Sequence, residues 1–362
     1  MRLVSIVLIV LCLPCVAIAQ DQPNDFENWM KEFRVRTHTP SLSYTVISNN
    51  QVALSKALGW SDDEGEVAST LDTTYFIASA TKPMTGVTFL RAADAGLIGL
   101  NESMEKTTDW ADFCEWYASS GIVFAGNEEL GIAKMDCSAN QTLQNSLNMQ
   151  VNGIPGTNFV YNPVVYARLG RAFPDSGDGS FKLLLRRFVI DPAGMKTAAA
   201  GWRDADASIA LTNLAPPFAV SDDGLPVKQA FPDDDIRAAA GVYASINDMI
   251  AFDQALTSDV LLTKAQKKRL WTPPADGNGK PSVYSNGWFI QEYRGTTLHW
   301  HSGWEPDKYS AIYLRLPEQQ LTLIALANTD GLWWDNSITA AEIEKSEVVQ
   351  AFFRAFAPEL AE

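Results

Sequence analysis

Short apolar runs near the two ends of the chain predict two β-hairpins. Residues 42–47 and 52–54 are rich in apolar and β-branched side chains and flank an Asn-Asn turn. Residues 310–316 and 321–327 flank a Pro-Glu-Gln-Gln turn in the same way. The pattern therefore predicts paired antiparallel strands at both ends of the chain.

Apolar residues recur at helical spacing in several other segments. In residues 25–33, three aromatic residues and a methionine share one face of a predicted amphipathic helix. A second helix is predicted from about residue 340 to residue 356 by the same criterion. Between the two hairpins, helical signals broken by Gly, Pro and Asp loops cover residues 83–95, 164–172, 181–189 and 247–256.

Strands at both ends with helices between them indicate an α+β fold. We expect an antiparallel sheet built from the N- and C-terminal segments and flanked by helices. A mostly helical insertion lobe is expected at roughly residues 85–235. The chain of 362 residues is long enough for one large domain of this kind, and it contains no internal repeat or low-complexity tract.

The N-terminus has the composition of a cleavable signal peptide. A basic start at Arg2 precedes an apolar run over residues 3–16, which ends in a small-x-small sequence at residues 17–19. A membrane-spanning anchor is the alternative, but the run is short for a bilayer. We therefore expect residues 1–19 to be removed and residues 20–362 to form an exported protein, periplasmic or secreted, with no stable membrane anchor.

Cysteine usage and charge narrow the classes of partner. Cys12 and Cys15 belong to the predicted signal, so the mature chain keeps Cys114 and Cys137, which form either a disulfide in an oxidising compartment or two buried thiols. The formal net charge of −15 disfavours nucleic acid and anionic lipid as partners. Once Cys12 and Cys15 leave with the signal, no Cys-x-x-Cys motif or Cys/His cluster survives in the mature chain to indicate a metal, and no cofactor is implied.

A Ser-x-x-Lys motif provides the strongest chemical signal. Ser79 and Lys82 lie three residues apart at the predicted start of a helix, so both side chains share one helical face. A serine hydroxyl is a weak nucleophile, and a lysine amine whose pKa is lowered by burial can accept its proton. The helix N-terminus favours the negative charge that develops. The alternative is a helix cap beside a surface lysine.

The same pattern occurs a second time, at Ser103 and Lys106. This copy follows a glycine-rich turn and carries the acidic neighbours Glu102 and Glu105. We interpret it as a solvated loop or helix end. The Ser79 copy therefore needs support from other motifs before it indicates catalysis.

That support comes from fragments spread over residues 38–328. Besides the Ser79 segment, the fragments are Asp191-Pro192-Ala193-Gly194-Met195, Ala239-Ala240-Gly241-Val242-Tyr243-Ala244-Ser245, Asn286-Gly287-Trp288 and His301-Ser302-Gly303. Their order and spacing resemble those of the β-lactamase-related serine hydrolases, which include class C β-lactamases, DD-peptidases, D-aminopeptidases and family VIII esterases. The resemblance implies a serine β-lactamase or penicillin-binding-protein fold.

The second motif of the family, Tyr-x-Asn, corresponds to Tyr161-Asn162-Pro163. By resemblance, the Tyr161 phenolate or hydroxyl shares a proton with Lys82 and Ser79, as general base and then as general acid. Without the other motifs, we would interpret Tyr161 as an aromatic core residue. Pro163 departs from the pattern because it offers no side-chain amide, and this departure favours an esterase or peptidase over a β-lactamase.

The third motif appears as His301-Ser302-Gly303, a variant of the Lys-Thr-Gly sequence of β-lactamases. By resemblance, the backbone N–H groups of Ser79 and Trp304 form the oxyanion hole. We expect Ser302 and Gly303 to border the substrate, with Gly303 allowing a substrate backbone to approach an edge strand. His301 is expected to face the cleft, where it binds a carboxylate when charged or assists proton transfer.

Two further patterns, a His-x-His spacing and a set of tryptophans, are weaker indications of a functional site. His299 and His301 have a His-x-His spacing that can bind metal, but His38 is the only other histidine in the chain. Five tryptophans could line an apolar acyl pocket, although core packing explains most aromatic residues. They are Trp288, Trp300, Trp304, Trp333 and Trp334.

Together these observations predict hydrolysis of an ester or amide through an acyl-Ser79 intermediate. The expected partner is a small-molecule ester, a D-amino-acid peptide or a β-lactam, with the ester favoured. A non-catalytic binder of cell-wall peptide or β-lactam is the alternative from another class of protein. The intact motifs at Ser79, Lys82 and Tyr161 argue against it.

Overall fold

A computed structural model describes residues 22–122, 131–233, 235–336 and 340–362 of the protein. The predicted signal peptide, with Cys12 and Cys15, lies outside the described residues. None of the helices in the described ranges is long and apolar enough to cross a bilayer. The strands are β1 Ser41–Ser48, β2 Gln51–Gly59, β3 Thr74–Phe76, β4 Ala199–Ala200, β5 Phe218–Val220, β6 Pro226–Lys228, β7 Val242–Ser245, β8 Tyr284–Ser285, β9 Trp288–Tyr293, β10 Thr296–Glu305, β11 Tyr309–Leu316 and β12 Leu321–Ala327.

The central feature is an antiparallel sheet that joins the two ends of the chain. Its strand order is β2-β1-β12-β11-β10-β9-β8, so β1 pairs with β12 although they are far apart in sequence. Both predicted hairpins are confirmed, because β1 pairs with β2 and β11 pairs with β12. Strands β8–β10 extend this sheet; β10 contains the edge strand expected at Gly303, whereas β8 and β9 were not predicted.

Helices cover both faces of the sheet. On one face, Phe26 of the N-terminal helix contacts Tyr44 of β1 and also Phe352 and Phe356 of the C-terminal helix. On the other face, Phe252 packs on Tyr313 of β11. The helices are α1 Gln22–Arg36, α2 Lys82–Asp94, α3 Trp110–Ser119, α4 Leu143–Leu147, α5 Pro163–Ala167, α6 Phe181–Leu185, α7 Asp191–Ala193, α8 Ala207–Thr212, α9 Ile246–Thr257, α10 Lys264–Trp271 and α11 Glu347–Phe356.

Three of the predicted helices are shorter than their apolar patterns indicate. The C-terminal helix was expected from about residue 340, but α11 begins at Glu347 after the 3₁₀ turn Ile343–Lys345. The pattern over 164–172 changes from α5 to a 3₁₀ helix at Arg168, and the pattern over 181–189 changes from α6 to a π turn at Arg186. Apolar spacing does not distinguish these helix types, whose periods are similar.

Close backbone packing fixes the helix that carries the Ser-x-x-Lys motif. Gly86 in α2 lies so near the β8–β9 turn that a Cβ atom there would sit 1.9 Å from the Asn286 carbonyl oxygen. The Asn286 side chain is itself held, because its Nδ2 donates to the Arg269 carbonyl and its Oδ1 accepts from Gln144. The start of α2 is therefore held against the sheet.

Cys114 and Cys137 form a disulfide, which confirms the first of the two alternatives. The bond joins α3 to a segment 23 residues further along the chain. Closing a loop of this length restricts the unfolded chain and contributes about 3 kcal/mol of stability in the chain-entropy estimate.

Candidate active site

Ser79 lies on a tight turn between a strand and a helix. Strand β3 ends at Phe76, and the 3₁₀ turn Ala78–Thr81 leads directly into α2. Ala78 adopts a left-handed conformation, with φ of 46°, which costs a non-glycine residue about 1–2 kcal/mol. The Ile77 N–H donates to the Val242 carbonyl on β7, so the strained turn is anchored to a neighbouring strand. Surrounding packing thus holds Ser79 at the N-terminal end of the helix.

Lys82 meets the hydroxyl as the motif predicts. Its Nζ lies 2.7 Å from Ser79 Oγ and donates to the Ala239 carbonyl oxygen at 2.9 Å. The side chain is fully buried. Burial lowers the pKa of Lys82 well below its ordinary value, because the charged amine loses its hydration. Within the described residues, no carboxylate lies at ion-pair distance from this amine, so the neutral form is favoured.

Tyr161 completes a group of three around the hydroxyl. Its ring centroid lies 5.1 Å from Lys82 Nζ, and its hydroxyl is near enough to Ser79 for that side chain to affect its pKa. Burial raises the pKa of Tyr161 above its ordinary value, and the interaction with Ser79 only partly opposes this change. Of the two forms considered from the sequence, the geometry therefore favours the protonated hydroxyl over the phenolate.

The two residues after Tyr161 explain the missing amide. Asn162 is fully buried and caps α5, because its Oδ1 accepts from the Val165 N–H at 3.0 Å. Its Nδ2 donates to the Tyr117 hydroxyl at 2.9 Å and not toward the cleft. Pro163 occupies the first turn of α5, where a missing N–H is tolerated. Neither residue presents a side-chain amide to a substrate.

His301 is buried, and both of its ring nitrogens are engaged. Nδ1 lies 2.6 Å from the Ser302 carbonyl, which can only accept, so Nδ1 carries the proton. Nε2 then accepts from the Tyr284 hydroxyl at 3.0 Å. Burial, with Lys82 nearby, lowers the pKa of His301 well below its ordinary value. Of the two roles expected for His301, a neutral ring in this environment disfavours carboxylate binding, and assistance in proton transfer stays a prediction.

The half of β10 that follows His301 lies beside the Ser79 turn. In the described chain, β9 pairs with β10 only from Thr296 to Trp300, so the later residues pair with β11 alone. A Cβ atom on Gly303 would sit 2.1 Å from the Ile77 carbonyl oxygen. Gly303 therefore allows the close approach of the protein's own backbone, whereas the sequence suggested the approach of a substrate. Ser302 is buried beside it, and Trp304 is 39% exposed.

Several other predicted features lie outside this group. Ser103 caps a short 3₁₀ helix, and Lys106 pairs with Glu102 on the surface, as the second Ser-x-x-Lys copy indicated. His299 stacks on Trp271, and no group of three or more potential metal ligands occurs in the described ranges.

The five tryptophans do not form one pocket. Trp288 and Trp300 are fully buried in the core. Trp304 stacks on Trp333 with ring centroids 4.9 Å apart, and Trp333 contacts Trp334, which in turn lies 6.1 Å from the buried Trp300 ring. Only this second set reaches the surface.

An open cleft of about 1240 Å³ lies near the reactive group, although Ser79, Lys82 and Tyr161 are not among the residues that line it. Its walls include Pro163 and Val164 on α5, Ala239, whose carbonyl receives Lys82, and Glu305 at the end of β10. A cleft of this volume exceeds what a drug-sized molecule occupies.

Sequence reasoning missed three contributors to the site. Ala239 was quoted as part of a motif, but its carbonyl contact with Lys82 depends on a backbone turn 157 residues away in sequence. Tyr284 was not predicted to hold His301. The left-handed backbone of Ala78 has no signal in the sequence, because alanine does not favour that conformation.

Comparison with known proteins agrees with the fold. The chain matches the protein-family model described as Beta-lactamase over residues 26–345, and it belongs to that family. "Protein flp" of Staphylococcus aureus (strain MW2) is 23% identical over 329 residues, which cover 86% of this chain and 64% of that protein. The chain thus spans less than two thirds of the length of this curated relative.

Solved structures show the same fold at low sequence identity. The octameric penicillin-binding protein homologue from Pyrococcus abyssi has a TM-score of 0.66 and 19% identity, covering 93% of this chain and 78% of that one. The D-amino acid amidase from Ochrobactrum anthropi SV3 has a TM-score of 0.66 and 16% identity, covering 93% and 97%. The chain therefore has the serine β-lactamase and penicillin-binding-protein fold.

Proposed function

We propose that the protein is a serine hydrolase that cleaves ester or amide bonds through an acyl-Ser79 intermediate. The observation that carries this proposal is the 2.7 Å contact between Ser79 Oγ and the Nζ of a fully buried Lys82. Because burial lowers the pKa of this lysine, its neutral amine can accept the hydroxyl proton.

In the acylation step, Ser79 Oγ bonds to the substrate carbonyl carbon as its proton passes to Lys82. The carbonyl oxygen becomes an oxyanion, which the backbone N–H groups of Ser79 and Trp304 stabilise. The Tyr161 hydroxyl then donates a proton to the leaving group and recovers one from Lys82. The carbon–heteroatom bond breaks and leaves an ester on Ser79, which water hydrolyses by the same proton transfers in reverse.

His301 acts in this scheme as a neutral group. Its ring lies 5.9 Å from the Tyr161 ring and is held by Tyr284. Placed there, His301 maintains the packing of Tyr161 and keeps positive charge away from Lys82. A second cation would disfavour protonation of the lysine during the reaction.

We propose an ester as the favoured substrate. Efficient β-lactam recognition in the resembling family uses a side-chain amide, and here Pro163 offers none while Asn162 is turned into the core. A D-amino-acid amide or peptide is the second candidate, because one structure with the same fold is a D-amino acid amidase. The cleft of about 1240 Å³ accommodates either class.

We also propose that the protein works outside the cytoplasm, periplasmic or secreted. The predicted signal peptide at residues 1–19 supports this location. The disulfide between Cys114 and Cys137 supports it further, because such bonds persist in oxidising compartments.

A turnover panel tests the proposed activity and divides the substrate classes. Residues 20–362 are assayed with a p-nitrophenyl ester, a D-amino-acid amide, a D-Ala-D-Ala peptide and a chromogenic cephalosporin, with Ser79→Ala as the control. We expect the ester to be hydrolysed fastest, and Ser79→Ala to abolish turnover. Equal rates in the variant would overturn the proposal, and binding without turnover would favour the non-catalytic alternative.

A further inference from the structure

A buried group of polar side chains lies directly behind Tyr161. Asn162 Nδ2 donates to the Tyr117 hydroxyl at 2.9 Å and to Asn152 Oδ1 at 2.8 Å. The Tyr117 side chain is also hydrogen-bonded to Asn152. We call Tyr117, Asn152 and Asn162 the polar triangle. Such a network fixes its members strongly, because each hydrogen bond broken in the interior leaves a polar group without water.

The polar triangle controls where the backbone beside Tyr161 can lie. Asn162 follows Tyr161 directly, and its Oδ1 caps α5 through the Val165 N–H. The Asn162 N–H also contacts the Met149 sulfur at 3.2 Å. With its N–H and both ends of its amide engaged, Asn162 cannot shift without breaking buried contacts.

The disulfide joins the two chain segments that hold Tyr117 and Asn152 of the polar triangle. Cys114 lies one helical turn before Tyr117 on α3. Cys137 lies two residues after Met135, which forms a bridge with Asn152, and Asn152 Nδ2 donates to the Ala133 carbonyl at 3.1 Å. One covalent bond therefore ties together the segments that hold Tyr117 and Asn152 on either side of Asn162.

We propose that Asn162 and Tyr117 are positioning residues for Tyr161, and that the Cys114–Cys137 disulfide maintains their geometry. The inference rests on the proposed function, in which the Tyr161 hydroxyl delivers a proton to the leaving group. A displacement of about 1 Å at a proton donor can cost about 100-fold in rate. Loosening the polar triangle should therefore slow proton delivery more than substrate binding.

The leaving group provides a readout that separates positioning from general damage. A p-nitrophenolate leaves without being protonated, whereas an alkoxide must receive a proton as its bond breaks. Each variant is assayed for kcat/KM on a p-nitrophenyl ester and on an alkyl ester of the same acid. A loss of folded protein lowers both values by the same factor, but a misplaced Tyr161 lowers the alkyl ester selectively.

The test variants are Tyr117→Phe, which removes one hydroxyl, and Asn162→Asp, which keeps the α5 cap but replaces the Nδ2 donor. Tyr313→Phe is the matched control, because its hydroxyl donates to Asp253 at 2.8 Å in another buried region. We expect Tyr117→Phe and Asn162→Asp to lower the alkyl-to-nitrophenyl ratio of kcat/KM by about 10-fold or more. Tyr313→Phe should leave that ratio unchanged.

Removal of the disulfide by substitution tests its proposed role in maintaining this geometry. The double variant Cys114→Ala/Cys137→Ala should lower the same ratio, and adding Tyr117→Phe to it should have less than the multiplied effect. Unchanged ratios in folded Tyr117→Phe and Asn162→Asp proteins would overturn the positioning role. An unchanged ratio in the cysteine variant would overturn the role of the disulfide. If the wild-type protein hydrolyses neither ester, the proposed function itself fails.

Discussion

Replacing Gly303 with alanine tests whether β10 and the Ser79 turn must lie in direct backbone contact. The new Cβ atom would sit 2.1 Å from the Ile77 carbonyl oxygen and 3.2 Å from the Ala311 side chain. A carbon atom lies about 3.3 Å or more from a carbonyl oxygen without strain, so the two segments must separate by about 1 Å. Ile77 lies two residues before Ser79, so this shift changes the spacing between Ser79 and the strand that carries Trp304.

We expect Gly303→Ala to lower kcat by about 100-fold, because a shift of about 1 Å at reacting groups has that effect. The free energy of unfolding should fall by about 1–3 kcal/mol, the usual cost of overpacking. Ester turnover and urea unfolding measure the two effects. Gly179→Ala is the control, since its Cβ would make only ordinary contacts with Pro174, the nearest at 3.6 Å. Wild-type kcat in Gly303→Ala would refute the reasoning.

Two further predictions concern protonation. Because burial lowers the pKa of Lys82, kcat/KM for the ester should stay constant through neutral pH and fall only when acid protonates the amine. Lys82→Met should lower kcat at least 100-fold across that range in stopped-flow assays. A wild-type kcat/KM that already decreases as the pH is lowered through about 10 would contradict the assignment. Burial and Arg315 lower the pKa of His299 to about 3, whereas an unfolded histidine titrates near pH 6.5. The unfolded chain therefore binds more protons between these pH values. The free energy of unfolding should fall by about 2 kcal/mol from this group as the pH decreases from 7 to 5. Urea unfolding of His299→Gln should show a correspondingly smaller loss, and an equal loss would exclude His299 as the cause.

The parts of the fold that were predictable depend on local patterns. Both hairpins combine apolar runs with turn residues, and each pairs neighbouring segments of the chain. Strand β10 lacks such a signal, because buried polar residues such as His299 and His301 interrupt its apolar pattern. Helix α10 has a Thr263–Gln266 capping box, which could have predicted its start.

The candidate site also combines features that local sequence patterns predict with features that depend on tertiary packing. Ser79 and Lys82 were predictable, because helical spacing alone brings their side chains together. The inward turn of Asn162 was also open to prediction, since an Asn before a Pro is typical of a helix N-terminus. The neutral state of His301 was not, because it depends on burial against Tyr284, which follows only from tertiary packing.

Labelling with a fluorophosphonate tests the central claim most directly. Residues 20–362 are treated with the reagent, and peptide mass spectrometry locates the adduct, with Ser79→Ala and Ser103→Ala as paired variants. The account predicts one phosphonyl group per chain, on Ser79, that disappears in Ser79→Ala and persists in Ser103→Ala. An adduct confined to another residue, or no adduct on folded wild-type protein, would contradict it.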